Sequence, residues 1–289
     1  MSVAQFDILL AILEPHIKKK TTNFRELIDL NRDWHSFRLG ISTVGMTVRK
    51  TCDQIWLQLK DTYMPTPTED IWRYTARRLN EMWSFPNCIG TLDGNTFSIV
   101  LLALVDADYR FLAIDVGSYG GNSDGGIFAN SALGRAQQRE TLNVPPPLEL
   151  PSAPELGKVN HIIIADKAFP MKPYIARRIS KNAFGILTQR FKVYKRPMEV
   201  NPDLADSIVK ATCILCNYLR HEVVGQADQG DSFDFDDGGN ASLHEFQRPR
   251  GNRASEEALH IRDTFRKYFV SPAGEVPWQY DRLRILSKS

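Results

Sequence analysis

Cysteine is scarce in this chain. Cys52, Cys88, Cys213 and Cys216 are all it holds in 289 residues, too few and too scattered for a disulfide scaffold, so a reducing compartment is expected. Long apolar runs are missing too. The longest is about half of the ~20 residues that a membrane-spanning helix needs, and the N-terminus lacks the layout of a signal peptide. A soluble, intracellular protein is therefore expected. Charge of one sign is also in short supply: a formal net charge of +2 neither implies nor excludes a nucleic-acid partner. No segment repeats at a fixed period. What is present is ordinary globular material, 43% hydrophobic, enough for a sizeable core in a chain whose length suggests roughly two domains.

The rest of the sequence is organised around residues 85–124. Residues 97–105 are apolar except for Ser98, the composition of a strand buried on both faces. Asp106, Ala107, Asp108 and Tyr109 read as a turn, and 111–116 as the returning strand. Asp93-Gly94, just ahead of these strands, is a tight-hairpin signal that would put Asp93 in a turn. Residues 161–166, three isoleucines closing on Asp166, read as another buried strand. A sheet presenting carboxylates at strand ends is a common platform for metal-assisted chemistry.

Helical spacing surrounds this centre. Val3, Phe6, Leu9, Leu10 and Leu13 fall on one face, closed by Pro15. Lys18, Lys19 and Lys20 read as a solvated run, with an import or phosphate-contact signal as the sharper alternative. Residues 34–59 are again helical in pattern. Within them, 37–44 resemble the turn of a helix-turn-helix, with Gly40 at the bend, Ser42 capping the second helix, and Arg49 and Lys50 further along it. Any two-helix corner gives the same pattern. Another helix opens at Thr68-Glu69-Asp70 and runs through Trp72, Ala76 and Leu79 to Trp83, with Pro86 ending it. Residues 143–154 read as a Pro-rich extended surface loop.

A long helix is expected over 174–194, with Ile175, Ile179, Ala183, Ile186 and Leu187 on one stripe and Lys181 opposite it, beside Arg177 and Thr188. Arg190, Lys192, Lys195 and Arg196 continue the basic character, either along a phosphate backbone or as a solvated face. The next helix, from Pro202, turns Leu204, Ile208, Ala211, Leu215, Tyr218 and Leu219 inward. Cys213 and Cys216 within it read as buried thiols, since a single CxxC without a second pair is a poor zinc signal. Residues 228–239 form an acidic linker in this reading. Ser255 caps a last helix with Ala258, Ile261, Phe265 and Tyr268 inward.

Four motifs in order then carry a resemblance. They are Phe85-Pro86-Asn87-Cys88-Ile89-Gly90-Thr91-Leu92-Asp93-Gly94; Gly117-Ser118-Tyr119-Gly120-Gly121-Asn122-Ser123-Asp124-Gly125-Gly126-Ile127-Phe128; Ala165-Asp166-Lys167-Ala168-Phe169-Pro170; and Asn182-Ala183-Phe184-Gly185-Ile186-Leu187-Thr188-Gln189-Arg190-Phe191. Together they resemble the PIF/Harbinger transposase family of the DDE superfamily, and the resemblance extends to residues 213–220 and 275–278. It implies an α/β fold with a mixed sheet. Residues 81–222 would be an RNase H-like DDE nuclease domain, 1–80 a helical, helix-turn-helix-like region, and 223–289 an acidic linker with a C-terminal helix. It further implies metal-dependent cleavage of DNA phosphodiester bonds at Mg²⁺ or Mn²⁺. Carboxylate oxygens would hold one ion that activates the nucleophile and one that takes the leaving oxygen.

Carried over by motif, the catalytic and metal-binding residues are Asp93, Asp124 and Asp166, with Arg177, Arg190 and Lys192 as candidates for DNA-backbone contacts. The implied partners are DNA and a separate Myb/SANT-like DNA-binding protein, and the implied location is the nucleus, with the cytoplasm as alternative. Two departures qualify the activity. Where the family has its last acid, a Glu just before Asn-Ala-Phe-Gly, this chain has Lys181, and an ammonium cannot ligate Mg²⁺. An ion pair from Lys181 to Asp93 or Asp124 would replace one metal with a structural contact. Three segments are also short against the family pattern: before Phe37, after Asp93, and between Pro173 and Arg177. The expectation is a truncated nuclease homologue with cleavage impaired or lost; the alternative is an inactive DNA- or protein-binding relative.

Overall fold

A computed structural model describes residues 1–18, 41–96, 99–118, 128–165, 173–221 and 256–276, the side chains of 41, 96, 118, 173–180 and 258 excepted. In chain order these hold α1 (Val3–Ile17), α2 (Ile41–Tyr63), α3 (Glu69–Trp83), β1 (Cys88–Thr96), β2 (Val100–Val105), β3 (Phe111–Ser118), a short α4 (Ala132–Gln138), β4 (Leu148–Glu149), β5 (Lys158–Val159), β6 (Ile162–Ala165), α5 (Pro173–Arg190), α6 (Pro202–His221) and α7 (Glu256–Phe269). The fold is mixed α/β, as expected. No helix among the described residues is long and apolar enough to cross a membrane.

The uninterrupted apolar run of β2 is explained by what covers it. Val100, Leu102 and Leu104 point to one side, into a cluster with Trp72 and Ala76 of α3 and with Ile89 and Leu92. Leu101, Ala103 and Val105 point to the other, among Ala183, Phe184 and Leu187 of α5, Val209, Cys213 and Cys216 of α6, and Phe265 and Phe269 of α7. Successive strand residues alternate between faces, so a strand that is apolar at every position needs a layer on each side. The main sheet has the order β3-β2-β1-β6. β1, β2 and β3 form an antiparallel meander, and β6 lies parallel to β1.

The register corrects the hairpin expectation. Asp93 and Gly94 lie inside β1, opposite Ala103 and Leu102, and the β1–β2 pairing continues to Thr96 opposite Val100. A reversal at 93–94 would have left half of β2 without a ladder partner and moved Leu92 out of the α3 cluster. Burial sets register more strongly than a local turn signal does. Pro15 likewise fails to close its helix: α1 runs on to Ile17, with the Lys18 amide donating to the Glu14 carbonyl. Near a C-terminus a proline forfeits only its own hydrogen bond, here the one to Ala11.

Three further expectations shift. Ser42, together with Ile41, Thr43 and Val44, lies within α2 and not at its cap, while residues 37–40 of the proposed turn, Gly40 among them, lie outside the described residues. The helix expected over 174–194 ends at Arg190, and Lys192–Lys195 forms a separate 3₁₀ turn. The Pro-rich stretch is not all surface. Its β4 pairs with β5, Leu150 and Ala153 are buried, and Asn87 ties it down by donating to the carbonyls of Leu148 and Val159 at 2.8 and 3.1 Å.

α6 is the helix on which the layers meet. Cys213 and Cys216 face the sheet, while Ala211, Ile214, Tyr218 and Leu219 pack with Leu9 and Leu13 of α1 and Ile55 and Leu59 of α2. This leaves it buried nearly all round, beyond the single inward stripe expected; Leu204, Ile208 and Leu215 are only half-buried. Asn217 locks its last turns in place. Its side chain accepts from the Phe111 amide at 2.9 Å and donates to the carbonyls of Phe111 and Tyr63, both at 2.8 Å.

Candidate functional site

Position in the sheet decides where Asp93 can act. It pairs with Ala103, and directly opposed residues of an antiparallel pair share a face, so its half-buried carboxylate lies on the side covered by α5. The amide of Gly94 donates to its Oδ1 at 2.8 Å. On the neighbouring parallel strand, Ala165 is the register partner of Leu92. These two residues immediately precede Asp166 and Asp93 in the sequence. Asp166 and Asp124 themselves lie outside the described residues.

Lys181 sits on α5, the helix that packs against β1 and β6. The helical period places it as expected: Ala183, Phe184, Ile186 and Leu187 are buried, and Lys181 is exposed. Its neighbour Asn182 anchors the turn by donating to the Tyr109 hydroxyl at 3.2 Å. Lys181 forms no ion pair among the described residues, so the pairing expected with Asp93 is not made there. Of the DNA-backbone candidates, Arg190 and Lys192 are exposed. Arg177 lies in α5 with its side chain outside the description.

A divalent metal needs converging oxygens, and Mg²⁺ or Mn²⁺ in particular needs carboxylates. Among the described residues, no group of three or more His, Cys, Asp or Glu side chains is placed to hold a metal ion. Among the described residues the candidate set contributes one carboxylate, Asp93, and one ammonium, Lys181, which alone do not make a two-ion centre; Asp124 and Asp166, the other candidate ligands, lie outside them. The thiols offer no alternative: burial pushes Cys88 and Cys216 up to about 12 and Cys52 to about 11, and raises Cys213 well above the ordinary range. They stay protonated, as inert core side chains do.

The densest polar constellation among the described residues lies at the β2–β3 turn. Asp106 is buried, and its Oδ1 accepts from the amides of Asp108 and Arg110 at 2.9 and 2.8 Å. Arg110 Nε stands 3.3 Å from its other oxygen. Asp108 pairs with Arg78 of α3 at 2.9 Å and with Arg110 at 3.2 Å, and takes a hydrogen bond from the Tyr74 hydroxyl at 3.3 Å. Burial pushes the Asp106 carboxyl up to about 6 despite the Arg110 charge. Burial would also raise Asp108, but the hydrogen bonds and charges of Arg78 and Arg110 outweigh it and hold that carboxyl below its ordinary value. The sequence marked the turn but not the cluster, because Arg78 comes from a separate helix. Its acids are matched by arginines, which makes it a brace between α3 and the sheet.

Two clefts flank this brace. One of about 360 Å³ is lined by Tyr63, Tyr74, Asp106, Arg110, Asn217 and His221; another of about 420 Å³ runs between α3 and β4, past Arg73, Arg77 and His161. Neither is lined by Asp93 or Lys181. Residues 93–177, under a third of the chain, match the family model described as DDE superfamily endonuclease. This match supports a transposase-derived nuclease family for the segment that begins at Asp93. No curated protein and no solved structure matches the chain.

Proposed function

We propose that this protein is a Harbinger-type, transposase-derived DDE nuclease homologue that holds DNA without cutting it. The endonuclease match from Asp93 onward supports the ancestry. The strand order, three antiparallel strands with a fourth parallel to the first, supports an RNase H-like core. The Leu92–Ala165 register favours Asp93 and Asp166 as neighbours in the ancestral site. In that ancestral chemistry, divalent cations held by Asp93, Asp124 and Asp166 would activate the nucleophile and stabilise the leaving oxygen.

The observation that carries the reading is Lys181, an exposed ammonium at the last-acid position, on the helix that covers the Asp93 face. It offers no lone pair to a cation and adds positive charge where the chemistry needs negative charge. DNA would be held electrostatically by Arg177, Arg190 and Lys192. A Myb/SANT-like protein as partner, a nuclear location and the division into regions 1–80, 81–222 and 223–289 belong to the same proposal.

Incubation of the purified full chain with supercoiled plasmid in Mg²⁺ or Mn²⁺ tests it. The plasmid is expected to stay supercoiled. Nicking that disappears in Asp93→Ala would sink the reading and restore an active nuclease.

A further inference from the structure

Buried polar side chains are normally hydrogen-bonded, and a threonine inside a helix has a ready solution. Thr47, Thr212 and Thr264 each donate to the carbonyl four residues back, at 2.8, 2.8 and 3.0 Å. Thr75 of α3 does not. It is 1% exposed, and its Oγ1 has no hydrogen-bond partner among the described residues. Arg110 Nε is in the same condition: it stands at ion-pair distance from Asp106, 3.3 Å, without a hydrogen bond to it. A polar atom shut away unpaired costs stability, so both need an explanation.

Thr75 and Arg110 line the same cleft, the one of about 360 Å³ beside the brace. Its walls are fixed. Asn217, also in the lining, commits its side chain to the backbone of Phe111 and Tyr63 and so holds two wall residues against each other. Tyr74 is anchored through its hydroxyl to Asp108, 3.3 Å away. Tyr63, Tyr74, Phe111 and His221 make much of the wall from rings, with Tyr63 and His221 edge to face at 5.5 Å. Such a wall suits a flat guest.

Charge in the lining is close to balanced. Asp70 and Asp106 are set against Arg110, and burial raises the Asp106 carboxyl to about 6. Neither a free anion nor a free cation is favoured. The polar groups also carry a pattern: Arg110 Nε, a donor, lies 3.3 Å from an acceptor, Asp106 Oδ2. A lactam edge, a ring carbonyl next to a ring N–H, presents the reverse order.

We propose that this cleft binds an uncharged planar heterocycle through a lactam edge, its carbonyl accepting from Thr75 Oγ1 and Arg110 Nε and its N–H donating to Asp106. Uracil and thymine have this chemistry, and a cleft of this volume takes a guest of nucleoside size. The two unpaired atoms are closed off from solvent, so a guest reaches them through a small side-chain shift. Half-buried Met64 and Ile71 of the lining can supply it, Met64 more readily because it is unbranched. The cleft is not lined by Asp93, Lys181 or the basic end of α5, so the site stands or falls apart from the DNA-holding reading.

Calorimetric titration of the full chain with thymidine tests the site, with N3-methylthymidine as control, since it keeps both carbonyls and loses the N–H. Thymidine is expected to bind with a Kd of about 0.1–1 mM, and the methylated compound about tenfold more weakly. Thr75→Val replaces the hydroxyl with a methyl group of similar shape. It should weaken thymidine binding about tenfold while raising the Tm of the unliganded chain by about 2–4 °C, because an unpaired buried group is removed. Thr75→Ser keeps the hydroxyl and should keep the binding.

A Thr75→Val chain with a lowered Tm and unchanged thymidine affinity would overturn the proposal, because the hydroxyl would then serve the fold through solvent. Equal affinity for thymidine and N3-methylthymidine would overturn it too, as would binding of neither thymidine nor a short single-stranded oligothymidylate. The last arm identifies the source of the guest. Thr75-dependent binding of the oligonucleotide alone would keep the lactam site and make its guest a base carried by a strand, whereas binding of free thymidine makes it a small molecule. Loss of plasmid binding with thymidine still bound would end the DNA-holding reading and leave the site intact.

Discussion

Among individual residues, Asp106 gives the sharpest link between structure and a measurable quantity. Its carboxyl titrates near 6 in the fold, raised by burial from an ordinary value of 3.8. Between those values the folded chain holds a proton that the unfolded chain has released. The group therefore contributes stability that is fully present below about pH 4 and lost as pH rises through about 6. Two units correspond to roughly 3 kcal/mol. Asp108 acts in the opposite sense, because its folded value is depressed: its contribution is present above its ordinary value and lost as pH falls. Urea unfolding from pH 4 to 7 is expected to show falling stability between pH 4 and 6 that is absent in Asp106→Asn. That variant keeps an oxygen for the amides of Asp108 and Arg110 but has nothing to titrate. An unchanged profile in Asp106→Asn would assign the dependence to another group.

At the level of elements, the all-apolar run of β2 and the turn at 106–109 were legible because composition and period fix them without reference to anything distant. The face of α5 was legible for the same reason, and with it the exposure of Lys181. Register was not. Asp93-Gly94 carries a local turn signal, and only the packing of Leu92 with Trp72 and Leu104 shows why the strand runs through it. Gly90 shows what register demands of one position. It has φ +151°, beside a register irregularity between Cys88 and Thr91, and a Cβ there would stand 2.8 Å from Leu104 Cδ1. Gly90→Ala combines a backbone conformation that L residues rarely adopt with a clash in the α3 cluster. A loss of roughly 2 kcal/mol is expected, seen as a Tm lowered by a few degrees, and an unchanged Tm would mean that β1 can shift its register.

For the whole molecule the question is what separates a scaffold from an enzyme. In the proposed reading the sheet, the covering helix and Asp93 are in place, and what α5 lacks is a carboxylate at position 181. If that single charge is what removed the metal, restoring it should restore affinity. Lys181→Glu changes an exposed side chain with no ion pair among the described residues, so the fold should tolerate it to within about 0.5 kcal/mol. Exchanging a cation for a carboxylate beside a divalent ion is expected to tighten Mn²⁺ binding at least about tenfold, equivalent to ~1.4 kcal/mol. Calorimetric titration of the natural chain and of Lys181→Glu reads this directly, and Asp93→Ala in the Lys181→Glu background should abolish the gain. Were Lys181→Glu to fold normally and take up no more Mn²⁺ than the natural chain, charge would not be the cause. The shortening expected after Asp93 and between Pro173 and Arg177 would then become the proposed reason that a carboxylate on α5 does not reach the sheet.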